Sequence, residues 1–266
     1  MRYGRVSPFV LLLCFVMPTV SSSGQGRNRP AAPSKPAPHF ADGTPNLGIT
    51  LQERGLWLPL DRTDLGRRST LAPVETIPFQ PWAKALYDDR QIHELEPHTR
   101  CHPSGVARQF QTPYGVEFVN LSDLQRMYIF DVGGPHTFRI IYMDGRSHPD
   151  KLDPAPYGHS VGHWENDTTL VIDTTGLDER PWLDTVGHPR SSMAHIQERY
   201  RRVDQYNIQV TVTVDDPKFY TKPWTFMRAN LYWMKAREFP ETLCVPSEAI
   251  EYRDTLTKPS GIQVVP

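Results

Sequence analysis

The clearest hydrophobic pattern in the chain is Tyr206-Asn207-Ile208-Gln209-Val210-Thr211-Val212-Thr213-Val214, where even positions are apolar and odd positions from Asn207 onward are polar. A period of two is the signature of a strand with one face on a core and the other on water or a polar lumen. Shorter runs of β character occupy Val116 to Val119, Arg126 to Val132, Phe138 to Met143, His159 to Glu165, Leu170 to Thr174, Ile196 to Val203 and Thr225 to Lys235. Turn residues separate them, as in a sandwich or barrel. Asp204-Gln205 and Glu165-Asn166-Asp167 read as hairpin turns, with Asp144-Gly145 a further turn, so the sheet is expected to be antiparallel.

One helix is predicted from Pro81, suited to a first-turn position, with Trp82, Ala85, Leu86 and Ile92 at approximate helical spacing up to the break at Pro97. Between Trp57 and Phe79 prolines and mixed charge leave no readable regular structure, with Trp57, Leu58 and Leu60 as anchors. No G-x-G-x-x-G, phosphate-binding loop or strand–helix alternation is present. The fold class is therefore mainly β: a single antiparallel barrel of calycin-like form, or a sandwich, with one short helix.

The N-terminus adds a compartment. Arg2 and Arg5 precede an apolar run from Pro8 to Val20 that ends in Ser21-Ser22-Ser23-Gly24, the pattern of a secretory signal peptide over residues 1–22. Residues 23–45, rich in proline, alanine and serine, are expected to be a disordered leader, and 46–266 a single β-rich domain. Residues 1–22 carry two arginines and no acid, so 27 basic and 30 acidic residues remain, a net charge of −3 with no basic footprint for nucleic acid. No transmembrane segment is expected in the mature chain, which is placed in the periplasm or outside the cell. Its two cysteines, Cys101 and Cys244, then predict a disulfide, with two buried thiols as the alternative.

Candidate chemistry gathers between Tyr157 and Arg199. His159 and His163 are four residues apart, but on a strand that separation is about 13 Å, too far for one ion. A better set takes His159 and His195 from strand starts and His188 from the Gly187-His188-Pro189 turn, three imidazoles able to hold a divalent transition metal such as zinc. Asp184 or Glu198 would be the fourth ligand or the base, and the metal would make hydroxide available. A metal-free version pairs His195 with Asp173 or Asp184 as base and orienting carboxylate. The strand around Glu198, Arg199, Arg201 and Arg202 carries charge on both faces, which requires an edge strand, a wet lumen or internal pairing. Trp164, Trp182, Tyr220 and Trp224 are candidates to hold a small amphipathic ligand.

Cys101-His102-Pro103-Ser104-Gly105, Tyr157-Gly158-His159-Ser160-Val161-Gly162-His163-Trp164-Glu165, Thr169-Leu170-Val171-Ile172-Asp173-Thr174-Thr175-Gly176, Trp182-Leu183-Asp184, Gly187-His188-Pro189, His195-Ile196-Gln197-Glu198-Arg199 and Asp215-Asp216-Pro217 together resemble a family of exported bacterial proteins without an assigned activity. Two positions depart from that pattern. Asn166 replaces a glycine that asparagine can imitate in a left-handed turn, and His163 stands where an arginine or another residue is expected. The resemblance spans most of the mature chain and implies neither substrate nor reaction. Two functions follow from the residues: a metal-assisted or acid–base hydrolase or lyase acting on a small molecule in a histidine-lined pocket, or a non-catalytic, lipocalin-like protein that binds a small amphipathic ligand.

Overall fold

The structure is a computed structural model that describes residues 35–48, 50, 54–59, 76–112, 115–131, 133, 137–235, 238–239, 244–245, 250–251 and 254–255. The proposed signal peptide lies outside them. Nine strands close into one barrel in sequence order: β1 (Gly55–Pro59), β2 (Val116–Leu121), β3 (Arg126–Asp131), β4 (Phe138–Tyr142), β5 (His159–Asn166), β6 (Thr169–Thr175), β7 (His195–Asp204), β8 (Asn207–Asp215) and β9 (Trp224–Lys235). All eight expected strands are present, and the barrel rather than the sandwich is what they build.

The sheet is antiparallel, as expected, at every pairing but one. Strands β4 and β5 pair in parallel, Ile141 beside Ser160 and Tyr142 beside Val161, while the other pairings are antiparallel. The reason is parity: a ring of nine strands cannot alternate direction all the way round. The chain therefore crosses between β4 and β5 through residues 143–158 instead of making a hairpin, and Asp144-Gly145 begins that crossing. Gly158 ends it with φ +58°, and a Cβ there would sit 2.3 Å from the Thr175 carbonyl oxygen, so only glycine lets β5 start against β6.

Strand β1 escaped the sequence reading because both its faces are covered. Trp57 points into the main core, where its indole N–H donates to the Leu47 carbonyl at 2.7 Å, while Leu56 and Leu58 pack outside with Tyr232 and Met234. A strand buried on both sides shows no alternation. The helix α1 (Pro81–His93) forms as expected, but its buried residues are Ala83 and Tyr87. Trp82 lies half exposed against Phe219, their centroids 4.9 Å apart, and Ile92 is exposed. Residues 35–45, the end of the expected leader, make backbone bonds to one another and to the β7–β8 turn, where the Gln205 amide donates to Lys35.

Alternation fills the barrel. Ile208, Val210, Val212 and Val214 of β8 are buried as the pattern predicts. In β7 the inward set is Ile196, Glu198, Tyr200 and Arg202, which resolves its double-sided charge by internal pairing. Arg139 donates to Glu198 Oε2 at 2.6 Å, and the Tyr200 hydroxyl donates to Glu198 Oε1 at 2.6 Å, with Arg139 and Glu198 both fully enclosed. Burial raises the Tyr200 phenol well above its ordinary value, which keeps it a donor. Arg202 donates to the carbonyls of Asn46 and Gln205 and lies 4.9 Å from the Trp57 ring centroid.

Outside the strands, Cys101 and Cys244 form a disulfide across 143 residues of sequence. Closing so long a loop removes about 5 kcal/mol of unfolded-state entropy in the chain-entropy account. The enclosed ion pair gives a sharper test. Arg139→Met alone strands the Glu198 carboxylate and is expected to cost about 3–5 kcal/mol in urea unfolding, whereas Arg139→Met with Glu198→Leu recovers most of that loss. Equal losses in the single and double variants would show that the pair is not what matters there.

Candidate functional site

The period of two that buries Ser160 and Thr174 turns His159, Val161 and His163 of β5, Asp173 of β6, and His195 and Gln197 of β7 onto the outer wall. Register aligns them. His159 lies opposite Thr175, Val161 opposite Asp173, and Asp173 opposite Gln197, so His159 and His195 flank Asp173 diagonally on the two neighbouring strands. His148 completes the group from the β4–β5 crossing. Its Nε2 lies 3.0 Å from Asp173 Oδ1 and its Nδ1 lies 2.8 Å from His159 Nδ1, while His195 Nε2 lies 2.6 Å from the same Asp173 oxygen. The four side chains thus run in series: His159, His148, Asp173, His195.

Proton bookkeeping gives each nitrogen a role. Burial would raise the Asp173 carboxyl, but its hydrogen bonds and charge interactions with His195 and His148 outweigh that and hold it below the usual carboxylate range, so it only accepts. His148 then donates through Nε2, and in its neutral form accepts through Nδ1 from His159. His159 is left with a bare Nε2. Burial, then the charges of His148 and Arg146, push its pKa down. His195 is displaced the other way, raised chiefly by its hydrogen bond to Asp173 against the effect of burial, with Asp173 and Asp215 adding attraction. The side chains stay reachable: His195 is 45% exposed, Asp173 28% and His148 22%.

The other sequence candidates lie elsewhere. His188 does not join His159 and His195 as a third metal ligand, because the β6–β7 loop tucks it beneath α1 while the other two ride on the outer wall. His188 Nδ1 bonds Asp184 Oδ2, and both residues are buried. Around the imidazole stand Phe79 at 5.7 Å, Tyr87 at 4.5 Å, Trp224 at 6.1 Å and Phe226 at 6.3 Å. Asp184 also accepts the Val186 and His188 amides, so burial's upward push on its carboxyl is overcome by His188 and by these bonds. Glu198 belongs to the barrel interior. The expected ligand-binding aromatics form no open rim either: Trp182, Tyr220 and Trp224 are buried, and Trp164 packs partly buried against the core. Tyr220 donates to the Pro189 carbonyl at 2.8 Å, and Asp216 accepts the amide and hydroxyl of Ser191 at 2.6 and 2.7 Å. These bonds fasten the loop that carries the Asp184–His188 pair.

A zinc-like ion needs ligands that converge. Here His148 turns one ring nitrogen to His159 and the opposite one to Asp173, so the set is a chain and not a cage. Among the described residues no three His, Cys, Asp or Glu side chains form a group suited to hold a metal ion. His148 was missing from the sequence reading because its place beside Asp173 depends on the parallel crossing, which no local pattern announces.

The arrangement predicts that, by ring-proton NMR, His159 titrates below and His195 above the ordinary histidine value of about 6.5. In Asp173→Asn, His195 should fall back toward that value. A raised pKa contributes stability that is complete below the unfolded value and is lost as pH rises through the folded one. The Asp173 contribution runs oppositely, present above its unfolded value and lost as pH falls through the folded one. Coincident titration of the two histidines would contradict the chain. Comparison with family models, with curated proteins and with solved structures finds no match for this protein.

Proposed function

We propose that this protein is an exported acid–base enzyme, a hydrolase or lyase that acts on a small molecule at the outer wall of the barrel. The observation that carries this reading is the exposed series in which His148 and Asp173 connect His159 to His195, so that one end of the chain has a histidine with a depressed pKa and the other a histidine whose pKa the carboxylate raises, which divides the labour of base and acid between them. His159 Nε2 accepts a proton from the substrate or from an attacking water. His148, itself held by Asp173, fixes the His159 tautomer. His195, whose pKa Asp173 raises, donates in its imidazolium form from Nδ1 to the leaving group.

Exposure favours this cluster over the Asp184–His188 pair, which has a comparable carboxylate–imidazole contact but is sealed by aromatic rings. It also favours catalysis over a lipocalin-like binder, since the aromatic residues suggested for that role are engaged in packing. Export rests on the N-terminal pattern and the resemblance to exported bacterial proteins, and the Cys101–Cys244 disulfide suits an oxidising compartment.

Turnover of small esters, lactones, hydroxy acids and phosphate monoesters by the purified protein tests the reading. The profile of kcat/KM against pH should be bell-shaped, rising as His159 loses its proton and falling as His195 loses its own. His159→Gln should lose about 10²- to 10⁴-fold. Asp173→Asn should move the alkaline limb to lower pH. Undiminished rates in both His159→Gln and His195→Gln would rule out this site.

A further inference from the structure

One aromatic residue connects the histidine chain to two arginines. Tyr142 lies next to His159 with the rings stacked, 5.0 Å between centroids and 22° between planes. The Arg146 guanidinium sits 4.1 Å from the centroid of the Tyr142 ring, and the Arg126 guanidinium sits 5.5 Å from it. Arg126 is placed there by the sheet, directly opposite Tyr142 across β3 and β4, while Arg146 arrives with the same crossing that brings His148. The cross-strand row then continues from Tyr142 to Val161 and on to Asp173. A strip of outer wall therefore has two cations at one end, a partly exposed valine in the middle and the acid–base chain at the other.

The charges on this strip do not balance internally. Arg146 forms a two-pronged pair with Asp144, at 2.9 and 2.5 Å. Arg126 has no carboxylate partner among the described residues and lies against the Tyr142 ring. Two guanidiniums held against one ring repel one another, and a single aspartate neutralises one of them. The chain as a whole is net negative, so this is a local excess against the general charge. Stacking on the ring leaves the N–H edges of Arg126 oriented for the paired oxygens of a carboxylate or phosphate, while Arg146, whose Nε and Nη2 donate to Asp144, offers its Nη1.

We infer that the substrate of this site carries an oxyanion, a carboxylate or a phosphate, which Arg126 and Arg146 hold one tyrosine ring away from His159. The inference rests on the acid–base reading of the cluster and adds the class of substrate: a small organic acid or phosphate ester whose reacting bond lies a few bonds from its charged group. Tyr142 acts as a positioning residue, setting both the arginines and the imidazole. Placing the anion also offsets the Arg146 charge that presses on His159, so a bound substrate makes its own base stronger.

Titration of the guanidinium Nε–H signals with inorganic phosphate and, separately, with acetate tests the inference without any turnover. Ionic strength is held constant, and chloride serves as the control for screening. The expected result is a saturable shift of the Arg126 and Arg146 signals with at least one of the two anions, a preference that tells phosphate from carboxylate. Arg126→Gln should weaken that binding at least tenfold and Arg146→Gln should weaken it measurably, with the His159 and His195 titrations in Arg126→Gln remaining split as in the parent. Shifts no larger than those with chloride, or equal affinity in Arg126→Gln, would overturn the anion site. The acid–base reading would stand in either case, because it is decided by the His159→Gln and His195→Gln rates.

Discussion

The structure depends on a constraint of parity. Nine strands close a barrel only if one neighbouring pair runs parallel, and here that pair is β4 and β5. A parallel step excludes a tight turn, so residues 143–158 travel along the outside of the barrel before the chain can re-enter. Everything distinctive about the outer wall follows from that detour. It lays His148 between His159 and Asp173 and brings Arg146 over Tyr142.

The interior answers to a different demand. A closed barrel exposes no sheet edge, but every inward polar group must find its partner inside. Glu198 meets two donors, Arg139 and Tyr200, and Arg202 is absorbed by backbone carbonyls and the Trp57 ring. The polar residues that first suggest a pocket are thus consumed in holding the wall together. The proposed site uses instead the residues that the same alternation turns outward.

Much of this was legible in the sequence, for identifiable reasons. The Ile208–Val214 alternation is a direct image of a wall with one wet face, and the two hairpin turns that predict β5–β6 and β7–β8 fall where they should. Strand β1 was not, because Leu56 and Leu58 are covered on the side where polar residues would have marked the period. The parallel step was not legible either, since it is a property of the whole ring. Of the candidate residues, His195 meets Asp173 directly and His159 reaches it through His148, whereas His188 and Asp184 find each other beneath the helix, a separation that only tertiary placement sets. Sequence spacing ordered the histidines correctly along the chain but gave no account of which side of the wall each one faces.

The central claim is that protons are distributed unequally along His159, His148, Asp173 and His195. Nitrogen NMR of the protein labelled at its histidine rings, followed through a pH titration without a substrate, reads this most directly. His159 is expected to become neutral at lower pH than His195 and to keep its proton on Nδ1, so that between the two titrations a bare Nε2 on His159 stands beside a doubly protonated His195. A neutral His159 with its proton on Nε2, or His195 titrating no higher than His159, would contradict it.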